Sequence, residues 1–279
     1  MGHDHSEMPP EIVTRFAPAP TGHLHLGHVV NALYVWGMAR RHDGRVLLRI
    51  EDHDGGRSRR EFETSILDDL AWLGFEADEP FVRQSDRGAV YEAALQRLRA
   101  QGLVYACECS RREIAAAGGG GEELRYPGTC AAKDLPEAPG RALRVRLAPS
   151  SERFDDLLQG PQIQRPHEQC GDLLVRDRHG FWTYQFAVTV DDMEQGITLV
   201  VRGLDLLAST GRQIQLARLL GRTTPSRFMH HRLVMKSRDQ KVSKSDGDTG
   251  IRELRAAGMT RDEVLARAAA FVELPPRLE

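Results

Sequence analysis

Lysine is scarce in this chain. Of 38 basic residues only four are lysine (Lys133, Lys236, Lys241 and Lys244), and three of these fall within residues 236–244. A GC-rich coding sequence produces such a bias toward arginine. The cluster marks a place that uses a flexible point charge rather than a planar fork. Long apolar runs are also missing. No stretch approaches the roughly 20 residues of a membrane span, and no secretory signal is visible, so a cytoplasmic protein without membrane association is expected. Cysteine is limited to Cys107, Cys109, Cys130 and Cys170. Without a secretory signal these point to a metal or to buried thiols rather than to a disulfide framework. Excess positive charge is lacking too: a net charge of −2 rules out binding nucleic acid by bulk charge, so any RNA surface must be local. The 279 residues have ordinary apolar and charged fractions and suffice for one large domain or two modest ones. The first ten, MGHDHSEMPP, read as a disordered leader.

The stretch TRFAPAPTGHLHLGH, Thr14 to His28, organises the rest. Its prolines and glycines exclude a helix interior. The segment that follows places Val30, Leu33, Tyr34, Gly37 and Met38 on one helical face, with Arg40, Arg41 and His42 in the last turn and Asp43-Gly44 as the stop. A strand-like segment therefore feeds a tight loop that opens a helix. Backbone N–H groups at such a start favour an anion, phosphate above all. His25 and His28 stand at the junction, and Gly27 between them leaves room for a nucleotide.

Downstream, RVLLRI (45–50) reads as a buried parallel strand. It ends in EDHDGGRSR, where ligands bind in open α/β sheets. Two amphipathic helices follow. One carries Phe62, Ile66, Leu70 and Leu73; the other has Ser85 as N-cap and Gly102 as C-cap. Residues 107–130 have no strong period, 141–147 read as a strand, and 150–170 as a polar excursion. GDLLVRDRHGFWTYQFAVTVDD reads as a hairpin turning at His179-Gly180 that leads back to the main domain. A strand at 199–203, a helix over DLLASTGRQIQLARLLG, a strand FMHHRLVM, the lysine loop KSRDQKVSKSDGD and a helix from about Thr260 complete the chain.

HLGH resembles the HxGH form of the HIGH signature of class I aminoacyl-tRNA synthetases, and RFAPAPTGHLHLGH resembles the opening of the glutamyl-tRNA synthetase family. KVSKS, Lys241 to Ser245, resembles the KMSKS signature with Val242 in place of Met. The two signatures occur in the expected order. The resemblance implies an α/β fold: a class I synthetase Rossmann-type parallel sheet with a zinc-bearing insertion. Its catalytic halves would be 11–100 and 181–245, with an acceptor-facing insertion at 101–180 and a helical tail at 246–279. It also implies that ATP, with Mg²⁺, activates a carboxylate. His25, Gly27, His28 and Lys244 would hold ATP, and Lys241 and Lys244 would close over its phosphates. Losing one such donor costs about 2.7–4 kcal/mol in comparable sites. The implied glutamate pocket contains Arg15, Ala17 and Ala19; Glu51 of a RIED motif, for the ammonium; Tyr184 in TYQFAV; and Arg202 in VVRGLDLLAST, for the side-chain carboxylate. Ala19 stands where the family has serine, and Gln185 where it has asparagine. Neither change removes a charge, so tuned affinity is expected.

Cys107, Cys109 and Cys130 form a partial zinc set. The residues alone leave the fourth ligand open to water or a nearby glutamate. In the short branch of the family, the glutamyl-Q tRNA(Asp) synthetases, CxC…YxxxC supplies Cys, Cys, Tyr and Cys. The resemblance thus implies one structural Zn²⁺ on Cys107, Cys109, Tyr126 and Cys130, with Cys170 a buried thiol outside it. Only 34 residues follow Ser245 (279 − 245), and the short branch has no anticodon-binding region. A monomer that activates glutamate without tRNA and attaches it to queuosine in the anticodon of tRNA(Asp) is expected. The alternatives are a truncated glutamyl-tRNA synthetase charging a 3′ end, a non-catalytic zinc-dependent RNA-binding protein, and a small-molecule nucleotidyltransferase.

Overall fold

The computed structural model of the chain describes residues 11–53, 56–117, 123–237, 240–241 and 250–277. The N-terminal leader and Lys244 lie outside the described residues. In chain order, β1 (Val13–Phe16) leads into α1 (Leu26–Arg41), β2 (Arg45–Ile50), α2 (Arg60–Leu73), β3 (Val82–Arg83) and α3 (Gly88–Ala100). β4 (Val104–Cys107), α4 (Arg111–Ala117) and β5 (Ala142–Val145) follow, then β6 (Glu152–Asp156), β7 (Gly160–Gln164), α5 (Pro166–Cys170) and β8 (Leu173–Arg176). The chain continues with α6 (Tyr184–Glu194), β9 (Leu199–Gly203), α7 (Thr210–Leu219) and β10 (Arg227–His231). β11 (Met235–Ser237), β12 (Gln240–Lys241), α8 (Ile251–Ala256) and α9 (Arg261–Ala269) end it.

Apolar strands flanked by helices give parallel pairing. β2 lies between β1 and β3, all parallel. β10 lies between β9 and β6, again in parallel, and β7 adds an antiparallel edge. The two sheets adjoin at β1 and β9, where the Thr198 N–H donates to the Val13 carbonyl. α1 covers this junction. Its residues are buried on more than one side, Val29, Val30, Val35, Trp36 and Met38 included, as suits a helix enclosed between the sheet and α9. A separate antiparallel sheet, β4-β5-β8, carries the cysteines at its edge. Among the described residues no helix is long and apolar enough to cross a membrane.

Three local expectations are corrected. Residues 150–170 are not an excursion: β6 and β7 form a hairpin that joins the main sheet through β10. The buried positions of β6 include Glu152 and Asp156, so its inward face looks polar in sequence. The expected hairpin after Gly171 keeps only its first limb. After one bridge between Arg176 and Trp182 the chain turns into α6, where Phe186, Ala187 and Val190 pack into the core shared with α3 and α7. Ser85 does not cap α3. It sits in a 3₁₀ turn, Gln84–Arg87, bonded to Asp52.

Candidate active site and cysteine cluster

The carboxyl ends of β1, β2, β9 and β10 open into one cavity of about 550 Å³, the place where parallel α/β sheets bind ligands. Arg15, Ala17, Ala19, His25, Gly27, His28, Glu51, Tyr184 and Arg202 all line it. The sequence-predicted glutamate pocket and helix start thus come together across almost 190 residues of chain. Lys241 ends β12, and Lys244 is outside the described residues.

At the helix start the two histidines fix each other. The His25 N–H donates to His28 Nδ1 (3.0 Å), and the Gly27 N–H donates to His25 Nδ1 (3.1 Å). Both Nδ1 atoms are acceptors, so each neutral ring carries its proton on Nε2 as a donor. Their rings lie 3.9 Å apart. A Cβ at Gly27 would come within 3.0 Å of the His25 ring. Glycine here therefore makes room for His25 as well as for a ligand.

Beneath the cavity lies a charged layer that the sequence reading missed. Arg15 donates to Asp192 (2.9 Å) and to the Val201 carbonyl (3.3 Å). Arg49 is wholly buried and bonds Asp192 (2.9 Å), Gln195 (2.7 Å) and Glu51 (3.3 Å). Asp191 takes Gln84, Arg87 and Tyr91. Burial pushes the Glu51 carboxyl above its ordinary value, against the pull of Arg49 and Arg15. Burial also raises the Tyr184 phenol, with Arg202 opposing. The available signal was an arginine inside an apolar strand, which demands buried carboxylates. The Asp191-Asp192 pair was hidden by reading α6 as a hairpin.

Arg202 is 4 % exposed and has neutral acceptors only among the described residues. Its Nε donates to His230 Nε2 (2.9 Å), Nη1 to Gln213 (2.8 Å) and Nη2 to Thr210 (3.0 Å). Behind it, His230 Nδ1 is 2.6 Å from Asp156 Oδ2. Burial holds the His230 ring below the ordinary histidine value although Asp156 opposes it. Neither Asp156 nor His230 was predicted.

The cysteine cluster assembles from β4, its following loop and the loop before β5. The sulfurs of Cys107, Cys109 and Cys130 lie within 4.8 Å of one another, and Cys109 and Cys130 are 3.5 Å apart. Thiolates on a tetrahedral zinc with Zn–S about 2.3 Å stand roughly 3.8 Å apart. The Tyr126 hydroxyl is 3.5 Å from the Cys107 sulfur and accepts the Cys130 N–H (2.9 Å). Three soft donors and one phenol in this space fit zinc. Burial and the neighbouring sulfurs push the Cys109 thiol up to about 11. Burial would raise Cys107 too, but hydrogen bonds from Tyr126 and Arg144 outweigh it and bring that thiol down. The Arg144 guanidinium stacks 3.7 Å from the Tyr126 ring. Cys170 stays out of the cluster, its thiol donating to the Pro166 carbonyl. A second cavity of about 860 Å³ runs from Cys109 to Tyr184, with Arg111 and Arg178 on its wall. Tyr184 thus lines both cavities.

Known proteins match this chain over most of its length. Residues 11–271 match the family described as tRNA synthetases class I (E and Q), catalytic domain. The chain is 46 % identical over 244 residues to the glutamyl-Q tRNA(Asp) synthetase of Burkholderia cenocepacia, covering 85 % of this chain and 81 % of that protein. It is 42 % identical over 274 residues to the enzyme of the same name from Geobacter sulfurreducens, covering 97 % and 87 %. Among solved structures it is similar to a glutamate tRNA ligase from Elizabethkingia meningosepticum in complex with its amino acid, with TM-score 0.73 and 29 % identity. That match covers 85 % of this chain and 53 % of the ligase, so the chain spans about half the ligase's length.

Proposed function

As the chain belongs to the class I tRNA synthetases for glutamate and glutamine, and among them to the glutamyl-Q tRNA(Asp) synthetases, we propose that its cavity activates glutamate with ATP, without tRNA, and passes the glutamyl group to queuosine in the anticodon of tRNA(Asp). The observation that carries this reading is the single cavity in which Arg15, Glu51, Tyr184 and Arg202 face the helix start at His25 and His28.

The glutamate α-carboxylate attacks the α-phosphorus of ATP, and pyrophosphate leaves. The α1 N-terminus and the Nε2–H groups of His25 and His28 are donors for the phosphate oxygens. Mg²⁺ bound with ATP would offset phosphate charge. Glu51 takes the substrate ammonium, and Arg202, with Tyr184 beside it, takes the side-chain carboxylate. Glutamine, being neutral, would leave Arg202 buried without a counter-charge. A hydroxyl of the queuosine cyclopentene diol then attacks the activated carbonyl and AMP leaves. No side chain forms a covalent bond with substrate; positioning and electrostatics do the work. In the motif's reading, Lys241 and Lys244 would supply mobile positive charge to the phosphates.

Cys107, Cys109, Tyr126 and Cys130 would hold one structural zinc, whose binding would tie β4 to the loop before β5. Such a set would leave a net negative charge at the metal, and Arg144 over Tyr126 would offset it. The arginine-lined cavity between cluster and Tyr184 is the approach for the RNA. The protein acts as a monomer in the cytoplasm.

Two altered tRNAs test the reading. One lacks its 3′-terminal adenosine but keeps queuosine. The other has an intact 3′ end and comes from cells unable to make queuosine. Glutamate is expected on the first and not on the second; the reverse pattern would identify an enzyme that charges the 3′ end.

A further inference from the structure

The β6–β7 hairpin brings one buried carboxylate, Asp156, against β10. Asp156 Oδ1 accepts three backbone N–H groups, from Leu158 (3.0 Å), Gln159 (3.0 Å) and His230 (3.2 Å). Only Oδ2 is left for the His230 ring, 2.6 Å away. On the other side of that ring, Nε2 faces the Nε–H of Arg202 at 2.9 Å. An arginine N–H is always a donor. His230 Nε2 must therefore be a bare acceptor, and the ring proton must sit on Nδ1, donated to Asp156. Thr210 Oγ1 lies 3.3 Å from the same Nε2, close enough for its hydroxyl to donate there as well.

We propose that Asp156 and His230 are positioning residues for glutamate recognition: Asp156 locks His230 in the Nδ1–H tautomer, and the bare Nε2 of that tautomer aims the Arg202 guanidinium at the substrate's side-chain carboxylate. The proposal rests on the reading of Arg202 as the carboxylate clamp. The neutral ring has a purpose in this arrangement. A carboxylate bonded directly to Arg202 would satisfy its charge before substrate arrived. An interposed imidazole holds the guanidinium in place, fixes its orientation, and leaves its positive charge for the ligand. Thr210 and Gln213, which also accept from Arg202, are neutral for the same reason.

The geometry makes Asp156→Asn an unusually specific test. The three backbone donors hold the oxygen of the new amide at the Oδ1 place. Its NH₂ must then stand where Oδ2 stood and donate to His230 Nδ1. The ring proton is driven to Nε2, where it meets the Arg202 Nε–H donor to donor. A wrong histidine tautomer imposed by an aspartate-to-asparagine change is strongly harmful in the serine-protease triad, and partners one shell out from a bound group commonly matter about 10–100-fold where measured at metal sites.

The test combines steady-state kinetics of glutamate-dependent pyrophosphate exchange with ¹⁵N NMR of the histidine rings, in wild type, Asp156→Asn and Arg202→Ala. Wild type is expected to show His230 as the Nδ1–H tautomer, a measurement that needs no variant to fold. Asp156→Asn is expected to show the Nε2–H tautomer, to raise the KM for glutamate by about 10–100-fold with the KM for ATP unchanged, and to narrow the preference for glutamate over glutamine. A general loss of structure would move both KM values together and overturn the assignment of a positioning role to Asp156. A wild-type His230 protonated on Nε2 would overturn it as well. If Arg202→Ala loses glutamate affinity while Asp156→Asn keeps it, this proposal fails and the clamp stands. If Arg202→Ala keeps an ordinary KM for glutamate, the clamp itself fails, and the proposal with it.

Discussion

Glu51 is a carboxylate whose surroundings oppose its charge, because burial raises its pKa more than Arg49 and Arg15 lower it. Only the ionised form can hold the ammonium of glutamate, which keeps its own charge throughout the acidic range. Protonation as pH falls through the raised value must therefore weaken substrate binding. An acid limb in kcat/KM for glutamate is expected above the ordinary carboxylate range, measured by pyrophosphate exchange against pH. Glu51→Gln should abolish that limb and cost about 10–100-fold at neutral pH, the loss of one charged hydrogen bond; an unchanged limb in the variant would move the titration to another group. At the phosphate end, His28→Ala and Lys244→Ala should each slow exchange by roughly 100-fold or more, the value of one preorganised donor. Wild-type rates in either variant would remove that residue from the phosphate site. The residues that reach the cavity were legible because they sit in motifs: Arg15, His25, His28, Glu51, Tyr184 and Arg202. The layer beneath was not. Arg49, Asp192, His230 and Asp156 each look like one stray polar residue in sequence, and only the fold shows that they neutralise or orient one another.

Helices and central strands declared themselves through period and apolar content, whereas elements with polar inward faces did not. β6 buries Glu152 against Arg218 and Asp156 against His230, so its alternation cannot be read as hydrophobic. α6 carries β-branched residues that favour a strand, and packing against α3 and α7 overrides them. β4 and α4 are short: β4 ends where the stretch that lacked a period begins, and α4 lies within it. The cysteine spacing pointed to a cluster that could hold a metal, but not to what braces it. Gly171 does so from outside the motif. It has φ +67°, and a Cβ there would fall 2.0 Å from the Tyr126 carbonyl oxygen, while the Tyr126 N–H donates to the Cys170 carbonyl. Gly171→Ala should therefore displace Tyr126, destabilise the fold by more than about 1 kcal/mol, and loosen the metal. Elemental analysis of purified variants checks the whole element. Cys130→Ala should lose zinc, Cys170→Ala should keep it, and Tyr126→Phe and Gly171→Ala should bind it more weakly. Full zinc in Cys130→Ala, or loss of zinc with Cys170→Ala, would mean a different ligand set.

At the scale of the whole molecule, a chain with net charge −2 must still engage a polyanion. Several of its arginines are committed inward or to ion pairs: Arg15, Arg49 and Arg87 to the carboxylates below the cavity, Arg83 to Glu63, Arg218 to Glu152. Arg111 and Arg178 differ. Both are exposed, both line the cavity between the cysteine cluster and Tyr184, and neither is in an ion pair among the described residues. Arg178 is held by a single bond to the Cys109 carbonyl (3.1 Å), which ties its placement to the metal loop. Glutamate activation involves only small molecules, which the proposed function puts in the first cavity, whereas transfer needs RNA, which it puts across this second surface. The two half-reactions should therefore respond differently to salt. Raising salt should leave pyrophosphate exchange nearly unchanged while the KM for tRNA rises steeply, because each phosphate contact releases counterions. Arg111→Ala and Arg178→Ala should keep exchange at the wild-type rate and weaken transfer. Each should also reduce the slope of log KM against log salt by about one. Transfer kinetics at several salt concentrations decide it: an unchanged slope in both variants would place the RNA on another face of the molecule, and a parallel loss of exchange would mean that these arginines support the catalytic cavity instead.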